Sequence, residues 1–487
     1  MHNVPAVNGN FANLSVVLYS IREQSSRASP RGSTMPTIIA IESKNVTEFG
    51  IQFPFEHLYL VKRTTDAAGN VIDERVIRGN PSDGGALTAR ADIPLALSDD
   101  ARGDETLVQR HHRVLNLGGR DPEAVWNLMV QHARNINLAD LNYSLDIAGF
   151  FPGADVNSNT VIGSALHTVG IDIAGNLPRG ITARDVPLYN KIGDMIVNDL
   201  LLGGAQADRI FGGVGSDRLE GRDGNDRLYG EAGVDALVGG SGNDAMIGGL
   251  GPDRMRGGLG SDVYVVDDVG DRVIESSIDA AAGIDRINAT VSVNLSRSDL
   301  AGVEKLQFGG TGDVAGRGNS LGNVLLGNRG DNRLSGGSGD DTVAGGSGDD
   351  RLFAGLGNDS MRGGPGRDTL DGGQGQDVMS GGTGADVFVF RRAYESPAGI
   401  ATDLITDFST VDILDLHGID ADATVAGNQA FVFIRNAGFS DAGQLRFEQD
   451  SAGNTIVQAD VNGDLAADFQ VTLRGYMQAV SPGDFIL

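Results

Sequence analysis

The chain of 487 residues contains no cysteine, so no disulfide can staple it. An extracellular protein built this way needs another staple, and a cytosolic one needs none. Positive charge is also scarce, with 38 Lys and Arg against 65 Asp and Glu and a net charge of −27. Nucleic acid and anionic lipid both repel such a surface, so neither is an expected partner. No run of eighteen apolar residues occurs, so no segment reads as a membrane-spanning helix. The short apolar stretch 14–21 has no basic region before it and no small-residue cleavage site after it, and it does not read as a signal peptide.

What the chain has in excess is glycine: 72 residues, about double the ordinary ~7%. Most of that excess lies in two arrays of one nine-residue unit. The first runs from GGAQADRIF at 203 through GGVGSDRLE, GRDGNDRLY, GEAGVDALV, GGSGNDAMI and GGLGPDRMR to GGLGSDVYV, ending at Val265. The second begins with GNRGDNRLS at 327 and continues as GGSGDDTVA, GGSGDDRLF, AGLGNDSMR, GGPGRDTLD, GGQGQDVMS and GGTGADVFV, ending at Val389. A flexible Gly/Asp-rich linker would not hold this register or keep one apolar residue at a fixed place.

The positions of the unit divide the work. Glycines at one, two and four suit a tight turn with positive φ. Aspartate at six supplies a hard anionic oxygen. Positions seven to nine form a short strand with the middle side chain inward: Ile210, Leu219, Leu228, Leu237, Met246, Met255 and Tyr264, then Leu334, Val343, Leu352, Met361, Leu370, Met379 and Phe388. A nonapeptide of this pattern predicts a parallel β-helix that binds calcium. Ca²⁺ takes about six to eight oxygens, more than one turn offers, so an ion should bridge the turns of repeats i and i+2. The candidate ligands are Asp208, Asp217, Asp226, Asp235, Asp244, Asp253 and Asp262 in the first array and Asp341, Asp350, Asp359, Asp368, Asp377 and Asp386 in the second. Gly336, Gly339, Gly345 and Gly348 are candidates through their turns. Stacked aspartates repel without cations, so binding and folding should form one equilibrium.

These units resemble the RTX (repeats-in-toxin) family, also described as hemolysin-type calcium-binding repeats. The resemblance implies a secreted, extracellular protein whose β-roll folds on multiple Ca²⁺ ions. The last hundred residues resemble the C-terminal domain of the serralysins at ADVFVF (385–390), DLITDF (403–408), DILDL (412–416), GNQAFVF (427–433), GQLRF (443–447), DVNGD (460–464) and the terminal DFIL. That likeness implies a cap on the roll and an uncleaved C-terminal signal for the type I secretion machinery. It does not bring a zinc metallopeptidase, because no histidine here is followed by glutamate as H-E-x-x-H requires. DVNGDLAAD at 460–468 has three EF-hand ligand types in place but Leu465 where glycine is needed, and a hairpin turn is the expected reading.

The chain reads as multidomain. Residues 1–34 read as a disordered extension ahead of Met35, taken as the true start. Residues 35–199 read as an α/β (α+β) globular domain, with strands at 37–43, 57–63 and 71–79 and helices opening at Asp121-Pro122 and near Asn157. HLYLVKR at 57–63 alternates as a strand with one buried face would. Residues 200–265 form the first array of an all-β parallel β-roll, with Leu200–Leu202 capping its open end. Residues 266–326 form an insert that continues the stack, with Val314 and Asn323 in place of aspartate. Residues 327–390 form the second array, and 391–487 a β-rich C-terminal cap.

One enzyme reading attaches to the first domain. His57 opening a strand and Ser158 at a helix N-terminus resemble the permuted papain-like hydrolases, which include NlpC-type peptidases and lecithin:retinol acyltransferase-like enzymes. Those enzymes place cysteine at the helix start; serine would need His57 as general base. The other readings are a plain N-cap with a half-buried strand histidine, and a fold that binds ligand without turnover. His111, His112, His132 and His167 lack metal-site spacing and read as surface or core residues. A non-enzymatic adhesin or surface-layer component, with the roll as scaffold, is a further alternative for the whole chain.

Overall fold

A computed structural model describes residues 36–48, 51–81, 87–94, 111–136, 158–171, 196–275, 283–399 and 401–487; of 41–48, 51–58, 78–81, 87–94, 111–112, 136, 158–161 and 163 it describes the backbone alone. Near the N-terminus, β1 (Thr37–Glu48), β2 (Ile51–Thr65), β3 (Val71–Pro81), β4 (Leu87–Pro94) and β5 (His111–Val114) form an antiparallel sheet in the order β4-β3-β2-β1-β5. The AAGN turn joins β2 to β3: Asp66 Oδ1 accepts from the backbone N–H of Ala68 and Asn70 at 2.9 and 2.8 Å, and Gly69 takes φ +85°.

β2 departs from the expectation of one buried face, for Tyr59, Leu60, Val61, Lys62 and Arg63 are all buried. The strand lies centrally with both edges paired, to β1 and β3, and the unbroken burial of 59–63 shows that both of its faces are covered here as well. Leu60 joins the main core with Ile39 and Ile77, while Tyr59, Val61 and Val76 make a separate cluster. The two cations reach acids, Lys62 on Glu123 and Arg63 on Glu74.

Helix α1 (Pro122–Ile136) starts where the sequence asks, with Asp121 Oδ2 accepting from Ala124 N–H at 3.2 Å and proline at the first position. It buries Trp126, Met129 and Ala133. Helix α2 (Ser158–His167) ends in a glycine turn: Gly170 has φ +69°, and the N–H of Ile171 donates to Leu166 O at 2.9 Å.

From Leu200 onward the chain winds a parallel β-solenoid. The inward residue of every unit in both arrays is at most 2% exposed. Alternate units stack on each other, as in Leu219↔Leu237↔Met255 on one side and Leu228↔Met246↔Tyr264 on the other. The strands run past position nine into the next glycines, as in Arg218–Asp223. One side is continuous, a 15-stranded sheet from Arg209–Gly215 through the insert strands Asp285–Ala289 and Val303–Phe308 into the C-terminal region. The opposite side is split into a 5-stranded sheet ending at Arg272–Ile274 and an 8-stranded sheet beginning at Val293–Asn294.

Leu200–Leu202 is the roll's first strand, pairing with Arg218–Asp223, rather than a cap. The capping falls to the helices. Gln131 exchanges side-chain hydrogen bonds with the backbone of Leu202 at 3.1 and 2.8 Å, and Phe211 N–H donates to Thr168 O at 3.0 Å. At the far end, Asp403–Ile405 and Ile413–Asp415 extend the two sides, and the tail strand Phe485–Ile486 pairs with Ile413–Asp415. The hairpin Thr455–Asp460 to Phe469–Leu473 closes over Asp403–Ile405. DVNGDLAAD is its turn, as expected, with the N–H groups of Gly463 and Leu465 folded onto the Asp460 carboxylate.

Candidate metal centre

Each turn is built from one aspartate and two close backbone contacts. In the first array the N–H of Asp208 donates to Asp226 Oδ1 at 2.7 Å, and the same bond, eighteen residues apart, links Asp217 to Asp235, Asp226 to Asp244, Asp235 to Asp253 and Asp244 to Asp262 at 2.8 Å each. In the second array it links Asp341 to Asp359, Asp350 to Asp368, Asp359 to Asp377 and Asp368 to Asp386, at 2.7–2.9 Å. Oδ1 is therefore spent on the neighbouring turn.

Oδ2 is not. The Oδ2 atoms of Asp217, Asp226, Asp235, Asp244, Asp253, Asp262, Asp341, Asp350, Asp359, Asp368, Asp377 and Asp386 are buried and accept no hydrogen bond from the protein. A buried carboxylate oxygen left this way is expensive unless a cation meets it. Asp208, at the edge of the array, differs in taking the N–H of Gly204 on Oδ2 at 2.6 Å.

The glycines show what stands opposite that oxygen. A Cβ on Gly363 would lie 2.3 Å from Asp368 Oδ2 and 2.5 Å from the carbonyl oxygen of Gly381, two turns on. Gly336 would put one 2.2 Å from Asp341 Oδ2 and 2.7 Å from Ala354 O, and Gly345 one 2.1 Å from Asp350 Oδ2. Position one thus needs glycine for room, because it lines the space where a carboxylate and a carbonyl converge. It does not need positive φ, contrary to the expectation for that position. Positions two and four do take it, including Gly339 at +104° and Gly348 at +110°, and even Arg222 and Glu231 adopt it at position two.

Electrostatics agree with the geometry. Burial, opposed in part by the backbone N–H on Oδ1 and reinforced by neighbouring acids, pushes Asp217, Asp226, Asp253, Asp262, Asp341, Asp368 and Asp377 up to about 7. Asp359 reaches about 6, and Asp208, Asp235, Asp244, Asp350 and Asp386 rise by the same cause. An all-oxygen donor set of carboxylate and backbone carbonyl, spread over stacked turns, fits Ca²⁺ and suits softer transition metals poorly.

The ladder is longer than the repeats. Asp253 N–H donates to Asp271 Oδ1, Asp262 to Asp285 Oδ1, Asp377 to Asp403 Oδ1 and Asp386 to Asp412 Oδ1, at 2.7–3.0 Å. Sequence reasoning missed these partners because insertions stretch the spacing to 23 and 26 residues for the last three. The surviving signal is an aspartate two residues ahead of an inward apolar residue: Asp285 before Ile287, Asp403 before Ile405, Asp412 before Leu414.

Asp199 extends the ladder at the other end, its N–H on Asp217 Oδ1 at 2.7 Å. Its own carboxylate is matched by side chains. His132 Nδ1 lies 2.7 Å from Asp199 Oδ2, Asn135 Nδ2 donates to Oδ1 at 2.8 Å, and Ser164 Oγ bonds His132 Nε2. Ser164, His132 and Asp199 are all buried, so of the two places expected for it, surface or core, His132 takes the core, where it ends the ladder beneath the helices.

Asn323 at the end of the insert and Asn332 in the first unit of the second array replace the position-six aspartate, Asn328 stands at position two, and their amides fill the turns. Asn332 Nδ2 donates to the carbonyls of Gly330 and Gly345 at 2.7 and 3.3 Å, Asn323 Nδ2 to Val303 O at 3.1 Å, and Asn328 Nδ2 to those of Gly309 and Gly312 at 2.9 and 3.0 Å. A donor there stands where the aspartate turns present two acceptors. The expected enzyme pair is a separate matter: Ser158 opens α2 and His57 of β2 pairs with Lys44 of β1, but both side chains lie outside the described residues.

A parallel β-solenoid carrying ladders of buried, half-matched carboxylates defines a calcium-binding roll. The RTX calcium-binding nonapeptide repeat family matches residues 198–228, 211–246, 229–264, 238–272, 317–352 and 353–388, so the chain carries RTX repeats, and these bind multiple Ca²⁺ ions. Among solved structures, two subunits of the Azotobacter vinelandii mannuronan C5-epimerase are similar. The first shares 28% identity at TM-score 0.23 over 30% of this chain and 88% of its own. The second shares 26% at TM-score 0.24 over 34% and 78%. An extracellular lipase from Serratia marcescens shares 15% at TM-score 0.19 over 88% of this chain and 80% of its own. No curated protein matches significantly.

Proposed function

We propose that the chain is an exported protein whose roll folds when it meets calcium outside the cell, with Asp208 to Asp262 and Asp341 to Asp386 as side-chain ligands and the turn glycines, Gly336, Gly339, Gly345 and Gly348 among them, supplying room and carbonyls. The observation that carries this reading is the row of buried Oδ2 atoms without a protein partner. At the low calcium of a cytoplasm those carboxylates oppose closure, which keeps the chain open for passage through a narrow channel. Dissociation constants on the order of 10⁻⁴–10⁻³ M, usual for extracellular calcium modules, place folding in the millimolar range. The type I machinery would read the C-terminal tail while it is unpaired. Once folded, Phe485–Ile486 is a strand of the roll and no longer offers an open segment.

Export tests the reading. Deleting 428–487 should retain the protein in the cell, while deleting 1–34 should leave export unchanged. Appearance of the first variant in the medium, or retention of the second, contradicts it.

A hydrolase reading of the N-terminal region rests on Ser158 opening α2 and on that helix packing against β2, which carries His57. A serine-directed fluorophosphonate should then label the chain and fail to label Ser158→Ala. No labelling of the native chain ends that reading.

A further inference from the structure

Where the first array meets the insert, the turn is built differently from its neighbours. Asp262, Glu275 and Asp285 each bring a carboxylate oxygen to within 4.8 Å of the others, and all three are buried. In a regular turn the residue eighteen beyond Gly257 would be another position-one glycine. Here it is Glu275, and it puts a carboxylate into the space that glycine otherwise keeps open. The inward residue is altered to match: Tyr264 stands where other units place Leu, Met or another apolar residue, and its hydroxyl donates to Glu275 Oε2 at 2.7 Å while accepting from Gly257 N–H at 2.8 Å.

The backbone holds the glutamate in place. Glu275 N–H donates to Asp299 O at 2.6 Å, and Gly302 N–H donates to Glu275 O at 2.8 Å. Asp285 Oδ1 takes the N–H of Asp262 at 2.8 Å, and Glu304 Oε2 takes that of Asp285 at 2.7 Å, bringing a fourth acid to the cluster. Against this packing, Asp262 Oδ2 and Asp285 Oδ2 are buried and accept no hydrogen bond. Two unmatched anionic oxygens therefore face a third carboxylate inside the roll.

We propose that Asp262, Glu275 and Asp285 form a distinct cation site at the seam between the first array and the insert, taking a hard divalent ion of the calcium class more tightly than the repeat turns do. Regular turns offer carboxylates from position six alone, whereas this one adds a glutamate. Affinity of oxygen sites rises with ligand charge. The site also sits where the 5-stranded sheet ends and the opposite side alone carries the stack forward, so its ion ties the first array to the insert. The inference shares with the proposed function the premise that hard cations fill the roll, and the test separates the two.

The probe is terbium, a hard trivalent stand-in for calcium, added to the full chain with luminescence excited through aromatic side chains. Tyr264 is the built-in sensitiser because it bonds a ligand. The first equivalent of terbium should give the strongest emission. Tyr264→Phe should remove most of it without removing the ion from the binding isotherm, and Glu275→Gln should weaken that first step about tenfold or more while later, weaker steps persist. Tyr394→Phe, on an exposed tyrosine, should change neither. A first step indifferent to both Glu275→Gln and Tyr264→Phe overturns the seam site while leaving the repeat sites standing. Absence of any terbium or calcium binding in the native chain overturns both.

Discussion

Replacing Asp368 by asparagine should change stability in opposite directions with and without calcium. Asp368 Oδ1 accepts from Asp350 N–H at 2.8 Å, a bond the amide oxygen of asparagine keeps. Its Oδ2 accepts nothing and shares the space beside Gly363 with the carbonyl oxygen of Gly381. In the variant an N–H would point at that carbonyl, as Asn332 Nδ2 points at Gly345 O in the equivalent turn. An unsatisfied buried polar group costs roughly 1–3 kcal/mol, so in chelator the variant should be more stable by about that amount. In calcium the balance reverses. An ion at about 100 times its dissociation constant contributes roughly 2.7 kcal/mol, and the loss of one or two shared sites costs about 3–5 kcal/mol. Urea unfolding of the full chain, followed by circular dichroism in chelator and in calcium, reads both signs. Destabilisation of equal size in the two conditions would refute the reasoning that Oδ2 faces a space meant for a cation.

Other outcomes follow from the same geometry. Asp368 has a folded value of about 7 against an ordinary 3.8, so in chelator its contribution is fully present below about pH 3.8 and is lost as pH rises through 7; a melt of the calcium-free chain at pH 5 should exceed one at pH 8. In calcium, protons compete for the same oxygens, and calorimetric affinity should fall as pH drops below 7. Gly363→Ala, which drives a Cβ into two oxygens, should cost about 1–3 kcal/mol. Gly312→Ala, with nothing within 4 Å of the added atom, should stay within about 0.5 kcal/mol in the same urea assay. Asp359→Ala, with aspartate turns on both sides at Asp341 and Asp377, should lose more calcium equivalents by calorimetry than Asp208→Ala at the array's edge; equal losses would argue against shared ligation.

The solenoid was legible because its signal is local and periodic: one inward residue per nine and an aspartate two places before it. The same rule explains what stayed hidden. Asp285, Asp403 and Asp412 belong to the ladder, but insertions move them out of period, and only the fold returns them to register. Glu275 could not be recognised as a turn residue because its partners Asp262 and Asp285 come from other segments. The position-one glycine was assigned positive φ, whereas close stacking of turns i and i+2 decides it, a constraint set by a neighbour eighteen residues away. In β2, the alternation of HLYLVKR pointed to one wet face, but Lys62 and Arg63 are buried through pairing with Glu123 and Glu74, which a periodicity argument does not see.

Hydrogen exchange of the roll amides tests the central claim most directly. The N–H groups of Asp226, Asp235, Asp350 and Asp368 each donate to a carboxylate two turns on, and they can do so only when the ladder is closed. In millimolar calcium they should exchange slowly, together with the strand amides of 203–390. In chelator at neutral pH they should exchange near the rate of an open chain. Equal protection in both conditions would contradict the claim that calcium folds the roll.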